Sequence, residues 1–178
     1  MSTSTAFQHC RLSYARSIRL LTLLPSSSLT AALEITLTEA SLDSIVSPGG
    51  NGFEALSYVW GSPVGTVPIS CDGQQLLVTP NCESALRHLR LAGQDRVLWV
   101  DAICIDQGRS AESVKERNIQ VALMGEIYQK AARTLCWLGT GNDFTTELMA
   151  HLERIGSCPS QRVLKKLLLF DCTSRNRP

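Results

Sequence analysis

Three side chains capable of chemistry lie close together after an apolar run near the middle of the chain. Residues 97–100 read VLWV, which is typical of a central strand buried on both faces, and Asp101, Cys104 and Asp106 follow within six positions. In open α/β sheets, ligands and partners bind at the carboxyl ends of the strands. A carboxylate set against an apolar strand costs free energy unless it is hydrogen-bonded or paired, so Asp101 indicates either a functional or a capping role.

Each of these residues has a structural interpretation beside the chemical one. Asp101 could orient a ligand hydroxyl or a catalytic water, but Asp at a strand end more often accepts backbone N–H bonds and caps the following loop. Cys104 is disfavoured as a nucleophile, because nearby carboxylates raise the pKa of a thiol and no histidine is close in sequence. Asp106 and Gln107 lie in a polar loop, where simple solvation also explains them.

A second group, Ser57, Tyr58, Trp60 and Gly61, forms an aromatic strand end followed by a turn. We interpret Trp60 and Trp99 as core residues, each needing one acceptor for its indole N–H; a stacking platform for an adenine or nicotinamide ring is the alternative. Gly61 is expected to supply a backbone angle that other residues resist. Residues 139–143, GTGND, are weak as a phosphate cradle, since they lack the dinucleotide-binding glycine pattern and the P-loop lysine.

Composition excludes several classes of function. The 178 residues contain 17 Lys and Arg against 16 Asp and Glu, so net charge gives no general attraction to nucleic acid. No apolar run approaches the roughly 20 residues of a membrane span. The seven cysteines are widely spaced and form no Cys-x-x-Cys, which argues against zinc or a disulfide framework and favours a reducing, cytoplasmic location.

Hydrophobic periodicity predicts alternating strands and helices. Strands are predicted at 18–24, 33–38, 55–60, 67–70, 75–78, 97–101 and 134–138, and helices at 82–91, 114–132, 145–155 and 163–170. Asp72 and Gly73 indicate a hairpin turn, and Pro68 places that hairpin at a sheet edge. Ser113 and Glu116 have the spacing of a capping box. The fold predicted is α/β, with a mostly parallel central sheet flanked by helices and an added antiparallel hairpin.

The beginning of the chain has two interpretations. It carries Arg, Ser and Thr and no acidic residue before Glu34, as a mitochondrial transit peptide does. We favour a first strand that is stopped by Pro25. The domain organisation predicted is a flexible tail at 1–17, an α/β domain at 18–158, and a truncated C-terminal helix or tail at 159–178.

Three blocks taken together resemble the fungal heterokaryon incompatibility (HET) domain. They read FEALSYVWG at 53–61, LWVDAICIDQ at 98–107, and ERNIQV from 116 through Met124, Ile127 and Tyr128 to WLG at 137–139. The segment IRLLTLLP at 18–25 matches the strand with which such domains usually begin. The usual pattern has Asn where this chain has Asp106, so any hydrogen bond that the amide donates is lost here.

The resemblance implies an intracellular effector or signalling module of fungal non-self recognition and regulated cell death. Such domains are thought to be distantly similar to the TIR domain, a flavodoxin-like module that works by self-assembly, so the expected partners are further copies or other death-pathway proteins. Some TIR domains cleave NAD with a glutamate on a helix that follows the third parallel strand, and Glu147 occupies roughly that place.

Three functions therefore stay open. The first is a module with little or no enzymatic activity, which needs no cofactor or metal. The second is an NAD glycohydrolase, for which NAD is the substrate, Glu147 the catalytic carboxylate, and Trp60, Asp101 and Asp106 the lining of the site. Against it, an acid in a first helical turn is explained by the helix dipole alone. The third is a truncated, inactive copy.

Overall fold

The computed structural model describes residues 6–45, 52–61, 65–141 and 147, and the backbone of 169–171. Eight strands form one sheet: β1 (Ser17–Leu23), β2 (Glu34–Ser41), β3 (Glu54–Tyr58), β4 (Val67–Cys71), β5 (Gln74–Val78), β6 (Arg96–Val100), β7 (Arg133–Trp137) and β8 (Leu169–Asp171). The helices are α1 (Pro80–Leu89), the single turn α2 (Asp101–Cys104) and α3 (Ala111–Lys130), and a short 3-10 turn spans Leu42–Ser44.

The sheet is mixed, with the order β5-β4-β2-β1-β6-β3-β7-β8. Strands β6, β3 and β7 are parallel neighbours, and β2 pairs in parallel with β4. The remaining pairs, β1 with β2 and β6, β4 with β5, and β7 with β8, are antiparallel. This arrangement confirms the predicted α/β fold with its added hairpin. The parallel core brings the carboxyl ends of β3, β6 and β7 to the same side of the sheet.

The hairpin shows how local sequence sets local structure. Asp72 and Gly73 both have positive φ, 50° and 76°, which suits the two-residue turn that matches strand twist. Pro68 in β4 lacks an N–H for a ladder bond, and its hairpin lies at the end of the sheet, with β5 as the edge strand. Both predictions about this hairpin are confirmed.

The helices begin at side-chain caps. Thr79 accepts a hydrogen bond from the Cys82 N–H ahead of Pro80 at the start of α1. Ser110 accepts from the Ser113 N–H at the start of α3. The predicted capping box of Ser113 with Glu116 is therefore wrong, because α3 begins one turn earlier than its apolar periodicity indicates.

The core lies between the sheet and its helices. It is built from the apolar residues of β1, β3 and β6 together with Ala85, Leu86 and Leu89 of α1. The predicted strand near residue 18 is confirmed, since Ile18, Leu21 and Leu23 are fully buried in β1. Burial of this continuous apolar surface is the main stabilising term of the fold.

Several predicted elements lie largely outside the described residues. Of the helix predicted at 145–155 only Glu147 is described, and it is helical and exposed. Leu169 and Phe170, predicted as the end of a helix, belong instead to strand β8 beside β7. Residues 142–146, 148–168 and 172–178 otherwise lie outside the described part, so the limits of the domain and tail stay predictions.

Candidate functional site

The two tryptophan-bearing segments meet at the carboxyl ends of neighbouring parallel strands. Leu56 of β3 pairs with Val100 of β6, so the residues that follow each strand emerge side by side. There the Trp60 indole Nε1 donates a hydrogen bond to Asp101 Oδ2 at 3.0 Å. We call the surface formed by Val59, Trp60, Gly61, Asp101 and Leu138 the rim.

Asp101 is a half-buried carboxylate with defined partners. Its Oδ1 accepts from the Ala102 N–H at 2.7 Å and its Oδ2 accepts from Trp60. Burial raises the pKa of Asp101 above the ordinary value, and these two hydrogen bonds only partly oppose the rise. Asp101 thus accepts a backbone N–H, as its structural interpretation expected, although it is not the cap of α2, and its perturbed carboxylate lies beside an exposed aromatic ring.

The two tryptophans differ in environment. Trp99 is fully buried and packs edge-on against Tyr128, with ring centroids 5.6 Å apart, so its prediction as a core residue is confirmed. Its indole N–H nevertheless has no acceptor among the described residues. Trp60 is 37% exposed, so its prediction as a core residue is wrong. Gly61 has a φ of 71°, which favours glycine as predicted.

The rim carries exposed apolar side chains on two adjacent strand ends. Val59 is 75% exposed and Leu138 is 63% exposed. Each lies one residue beyond the paired residues Tyr58 and Trp137, so the two residues directly follow neighbouring strand ends. An apolar group of this kind beside a tryptophan is typical of a surface that binds a partner.

Three other predicted site residues lie beneath the rim. Ser57 and Tyr58 are half-buried, and burial raises the pKa of the Tyr58 hydroxyl far above its ordinary value, with the Cys82 thiol adding to the effect. Cys104 is fully buried, and its Sγ accepts from the Val100 N–H at 3.3 Å. Burial raises the pKa of Cys104 to about 12, so its thiol is neither exposed nor ionised at neutral pH.

Asp106 and Gln107 point to different neighbours. Gln107 is exposed, and its Nε2 donates to the carbonyls of Asp101 at 3.3 Å and Ile105 at 3.2 Å. Asp106 Oδ1 accepts from the Gly108 N–H at 2.8 Å and lies 3.6 Å from His9 Nδ1. Burial alone would raise the pKa of Asp106, but hydrogen bonds from neighbouring groups outweigh it and the pKa is lowered.

Asp106 lines a separate cavity of about 1070 Å³ between the N-terminal segment and the first half of α3. The cavity lining contains both acids and bases, among them Arg11, Glu112 and Lys115, and includes neither Trp60 nor Asp101. The structure therefore brings Trp60, Asp101 and Gln107 together. Asp106 instead contacts Gly108 and His9 and lines the separate cavity.

Glu147 is helical and exposed, and the residues on either side of it lie outside the described part. Its catalytic role stays a prediction. In the loop before it, Gly139 and Gly141 both have positive φ, 109° and 70°, which accounts for glycine at these positions without a bound phosphate.

The structure identifies supporting residues that the sequence analysis did not single out. Asn81, next to the start of α1, donates through Nδ2 to the Val59 carbonyl at 2.6 Å and accepts from Trp137 Nε1 at 2.9 Å. Its side chain thus joins the ends of β3 and β7. Arg19 is buried in β1, and both oxygens of the Glu116 carboxylate accept its hydrogen bonds, at 2.7 and 2.9 Å. A charge inside the apolar run at 18–24 is the signal that could have indicated a buried ion pair.

A second ion cluster, buried at Glu54 and Arg96, lies at the opposite end of the parallel strands. The Glu54 carboxylate of β3 binds Arg96 of β6 and Arg133 of β7, one through each oxygen. Arg96 also donates to the Leu89 carbonyl at 2.8 Å. These groups link three neighbouring strands. Because they lie at the amino ends of the strands, they take no part in the rim.

Three negative findings apply to the described residues. In that part of the chain, no group of three or more His, Cys, Asp or Glu side chains has an arrangement that could hold a metal ion. The helices found there are also too short or too polar to cross a membrane. Within the same residues Cys10, Cys71, Cys82 and Cys104 are not in disulfide bonds.

Comparison with known proteins gives two matches. Residues 53–169 match the family described as heterokaryon incompatibility protein (HET). The chain is also 35% identical over 152 residues to heterokaryon incompatibility protein 6, OR allele, of Neurospora crassa, an alignment that covers 78% of this chain and 21% of that protein. The chain thus spans about a fifth of the length of this curated relative. No solved structure matches the chain.

Proposed function

Because this chain belongs to the fungal heterokaryon incompatibility family, we propose that it acts as an effector or signalling module of non-self recognition and regulated cell death. The proposed mode of action is self-assembly in the cytoplasm, or assembly with other proteins of the death pathway. The observation that carries this proposal beyond family membership is the exposed apolar part of the rim.

The rim supports assembly for two physical reasons. Val59, Trp60 and Leu138 expose apolar surface on adjacent strand ends, and burying such surface against a partner is favourable. Tryptophan is also among the residues that contribute most to binding at interfaces. The residues of the rim all fall within the region that matches the family, residues 53–169.

The test compares two variants with similar exposure at distant parts of the sheet. Leu138→Asp places a charge on the rim, whereas Leu77→Asp changes a side chain that is 55% exposed on the edge strand β5. We expect light scattering across a concentration series to show assembly for the parent chain and for Leu77→Asp, and a loss of assembly for Leu138→Asp. Expression in fungal cells should reduce viability for the parent chain and for Leu77→Asp, and should reduce it less for Leu138→Asp.

Two results would contradict this function. The first is a parent chain that stays monomeric at high concentration and harms no fungal cell on expression. The second is equal assembly by the two aspartate variants, which would remove the rim from the mechanism. A chain that melts without a cooperative transition would instead indicate an inactive copy.

A second candidate function is the cleavage of NAD, which the contact between Trp60 and Asp101 favours. An exposed indole offers a face on which an aromatic ring can stack, and a half-buried carboxylate lies 3.0 Å from its N–H. In the reaction the bond between ribose C1′ and the nicotinamide nitrogen breaks, nicotinamide leaves with the electron pair, and water supplies a hydroxyl to C1′ and releases its other proton to the solvent. A carboxylate such as Glu147 would stabilise the positive charge that develops on the ribose.

The release of nicotinamide from NAD tests this candidate directly. We expect Glu147→Ala to abolish release, while Glu112→Ala, which changes an exposed acid in the first turn of α3, leaves it unchanged. Release that persists in Glu147→Ala would assign the catalysis to another residue. No release by the assembled parent chain at high protein concentration would exclude the reaction.

A further inference from the structure

The turn that carries Asp101 is held in place by groups from outside the helix. α2 has four residues, and the last four carbonyls of any helix lack partners within it, so nearly all the carbonyls of so short a helix need external donors. The Asp101 carbonyl accepts from the Ile105 N–H at 3.2 Å and from Gln107 Nε2 at 3.3 Å.

The next donors come from the N-terminal part of the chain. His9 Nε2 lies 2.7 Å from the Ile103 carbonyl, and because a carbonyl can only accept, the imidazole donates here. Arg19 Nη1 donates to the Cys104 carbonyl at 3.1 Å. The last two carbonyls of α2 are therefore satisfied by side chains that precede the family-matched region, residues 53–169.

His9 is itself fixed in this position. Its side chain is only 10% exposed, and the Phe7 ring packs edge-on against it with centroids 5.1 Å apart. Arg19 also donates to the Cys10 carbonyl, which ties the backbone next to His9 to the same guanidinium. The contacts of Phe7, His9 and Cys10 therefore form one continuous connection from the N-terminal segment to α2.

We infer that the N-terminal segment, residues 6–16, supports the rim from outside it, and that His9 is a positioning residue which holds α2 so that Asp101 stays half-buried against Trp60. The physical reason is that α2 is too short to fix itself. Without the hydrogen bond that His9 donates to the Ile103 carbonyl, the turn can open and admit water to the Asp101 carboxylate. This inference rests on the proposed function only in taking the rim as the surface that acts.

The test measures the environment of Asp101 by titrating its carboxyl carbon by NMR in the purified chain. Burial raises the pKa of Asp101, so the wild-type carboxyl should titrate above the ordinary value of about 3.9. In His9→Ala we expect the proton affinity of Asp101 to fall about threefold or more, because water gains access to it. In His9→Gln, whose amide can still donate to Ile103, the affinity should stay close to wild type.

Two further variants make the result specific. Ser13→Ala removes a hydroxyl contact of the same segment with Glu39, 3.0 Å long, and should leave Asp101 unchanged. Phe7→Ala leaves the imidazole in the sequence but removes the ring that packs against it, and should lower the affinity in the same direction as His9→Ala. It serves as the test if His9→Ala does not fold.

Two outcomes overturn the inference. One is an unchanged Asp101 titration in folded His9→Ala or Phe7→Ala. The other is an equal shift in His9→Ala and His9→Gln, since donation to Ile103 would then be irrelevant. Because the titration needs neither assembly nor cell death, a failure of the proposed function leaves this result standing, and the reverse also holds.

Discussion

Arg19 offers the sharpest test of how this fold is held together, through the substitution Arg19→Met. The guanidinium is buried in β1, where it donates two hydrogen bonds to the Glu116 carboxylate and one to each of the carbonyls of Cys104 and Cys10. Methionine fills similar space without any donor. The substitution therefore leaves a mostly buried carboxylate and two carbonyls without their partner.

The expected loss of stability follows from the state of Glu116, the mostly buried carboxylate that Arg19→Met leaves without its partner. Removing one partner of a buried ion pair costs about 3–5 kcal/mol, because the remaining charge is uncompensated. We expect Arg19→Met to lower the free energy of unfolding by that amount, out of a total of about 5–15 kcal/mol for a domain. Replacing both partners, in Arg19→Met with Glu116→Leu, should restore about 2 kcal/mol or more relative to the sum of the single changes.

Urea unfolding followed by circular dichroism measures these differences, provided that the slope of the transition is unchanged. The matched control is Arg16→Met, since Arg16 pairs with Asp43 and Glu126 at the exposed surface and its loss should leave the urea midpoint close to wild type. A loss below about 1 kcal/mol in Arg19→Met would refute the reasoning, since exposed pairs contribute no more than that. Strict additivity of the double variant would refute it as well.

Three more predictions concern the second ion cluster, the thiols and the pH dependence. Glu54→Gln should lower the free energy of unfolding by about 3 kcal/mol because it leaves a buried arginine unpaired; Arg133→Gln, at the half-exposed partner, should cost about 1 kcal/mol or less. Iodoacetamide at pH 8 should label exposed Cys10 in the native chain and spare Cys104, since burial raises the pKa of Cys104 to about 12. Burial also raises the pKa of Asp101, so its stabilising contribution is present below the ordinary pKa of Asp and is lost as pH rises through the folded value.

Each of these predictions has its own measurement and its own contrary outcome. Urea unfolding compares Glu54→Gln with Arg133→Gln, and equal losses would contradict the difference in burial. Mass spectrometry of labelled peptides compares the two thiols, and equal native labelling of Cys104 and Cys10 would show that the strand ends open readily. Between pH 4 and pH 7, the wild-type chain should lose free energy of unfolding relative to Asp101→Asn as pH rises. If the two proteins instead show parallel pH profiles, the burial of Asp101 is contradicted.

Local sequence was a good guide to the individual elements. The run at 18–24, the Asp72–Gly73 turn and the apolar strand at 97–101 all form the elements predicted, because alternation, turn chemistry and apolar runs act over a few residues. The start of α3 was predicted wrongly, because its first turn, at residues 111–113, is mostly exposed and shows no apolar periodicity. The residue that caps the start of α3 is Ser110.

The candidate site was predicted only in part. That the residues after β3 and β6 share one end of the sheet followed from the expectation of parallel strands, and the contact of Trp60 with Asp101 agrees with it. The exposure of Trp60 did not follow. It depends on the path of the chain after β3, and no sequence period describes that.

The sequence by itself determined the strands from β1 to β7, the helices α1 and α3, the edge hairpin and the family blocks, because hydrophobic patterning and turn residues encode short-range structure. Tertiary structure alone decided which distant groups meet: His9 with Ile103, Arg19 with Glu116, and Asn81 with Val59 and Trp137. The physical reason is that a buried polar group must find a partner somewhere in the folded chain. The identity of that partner depends on packing between segments many tens of residues apart.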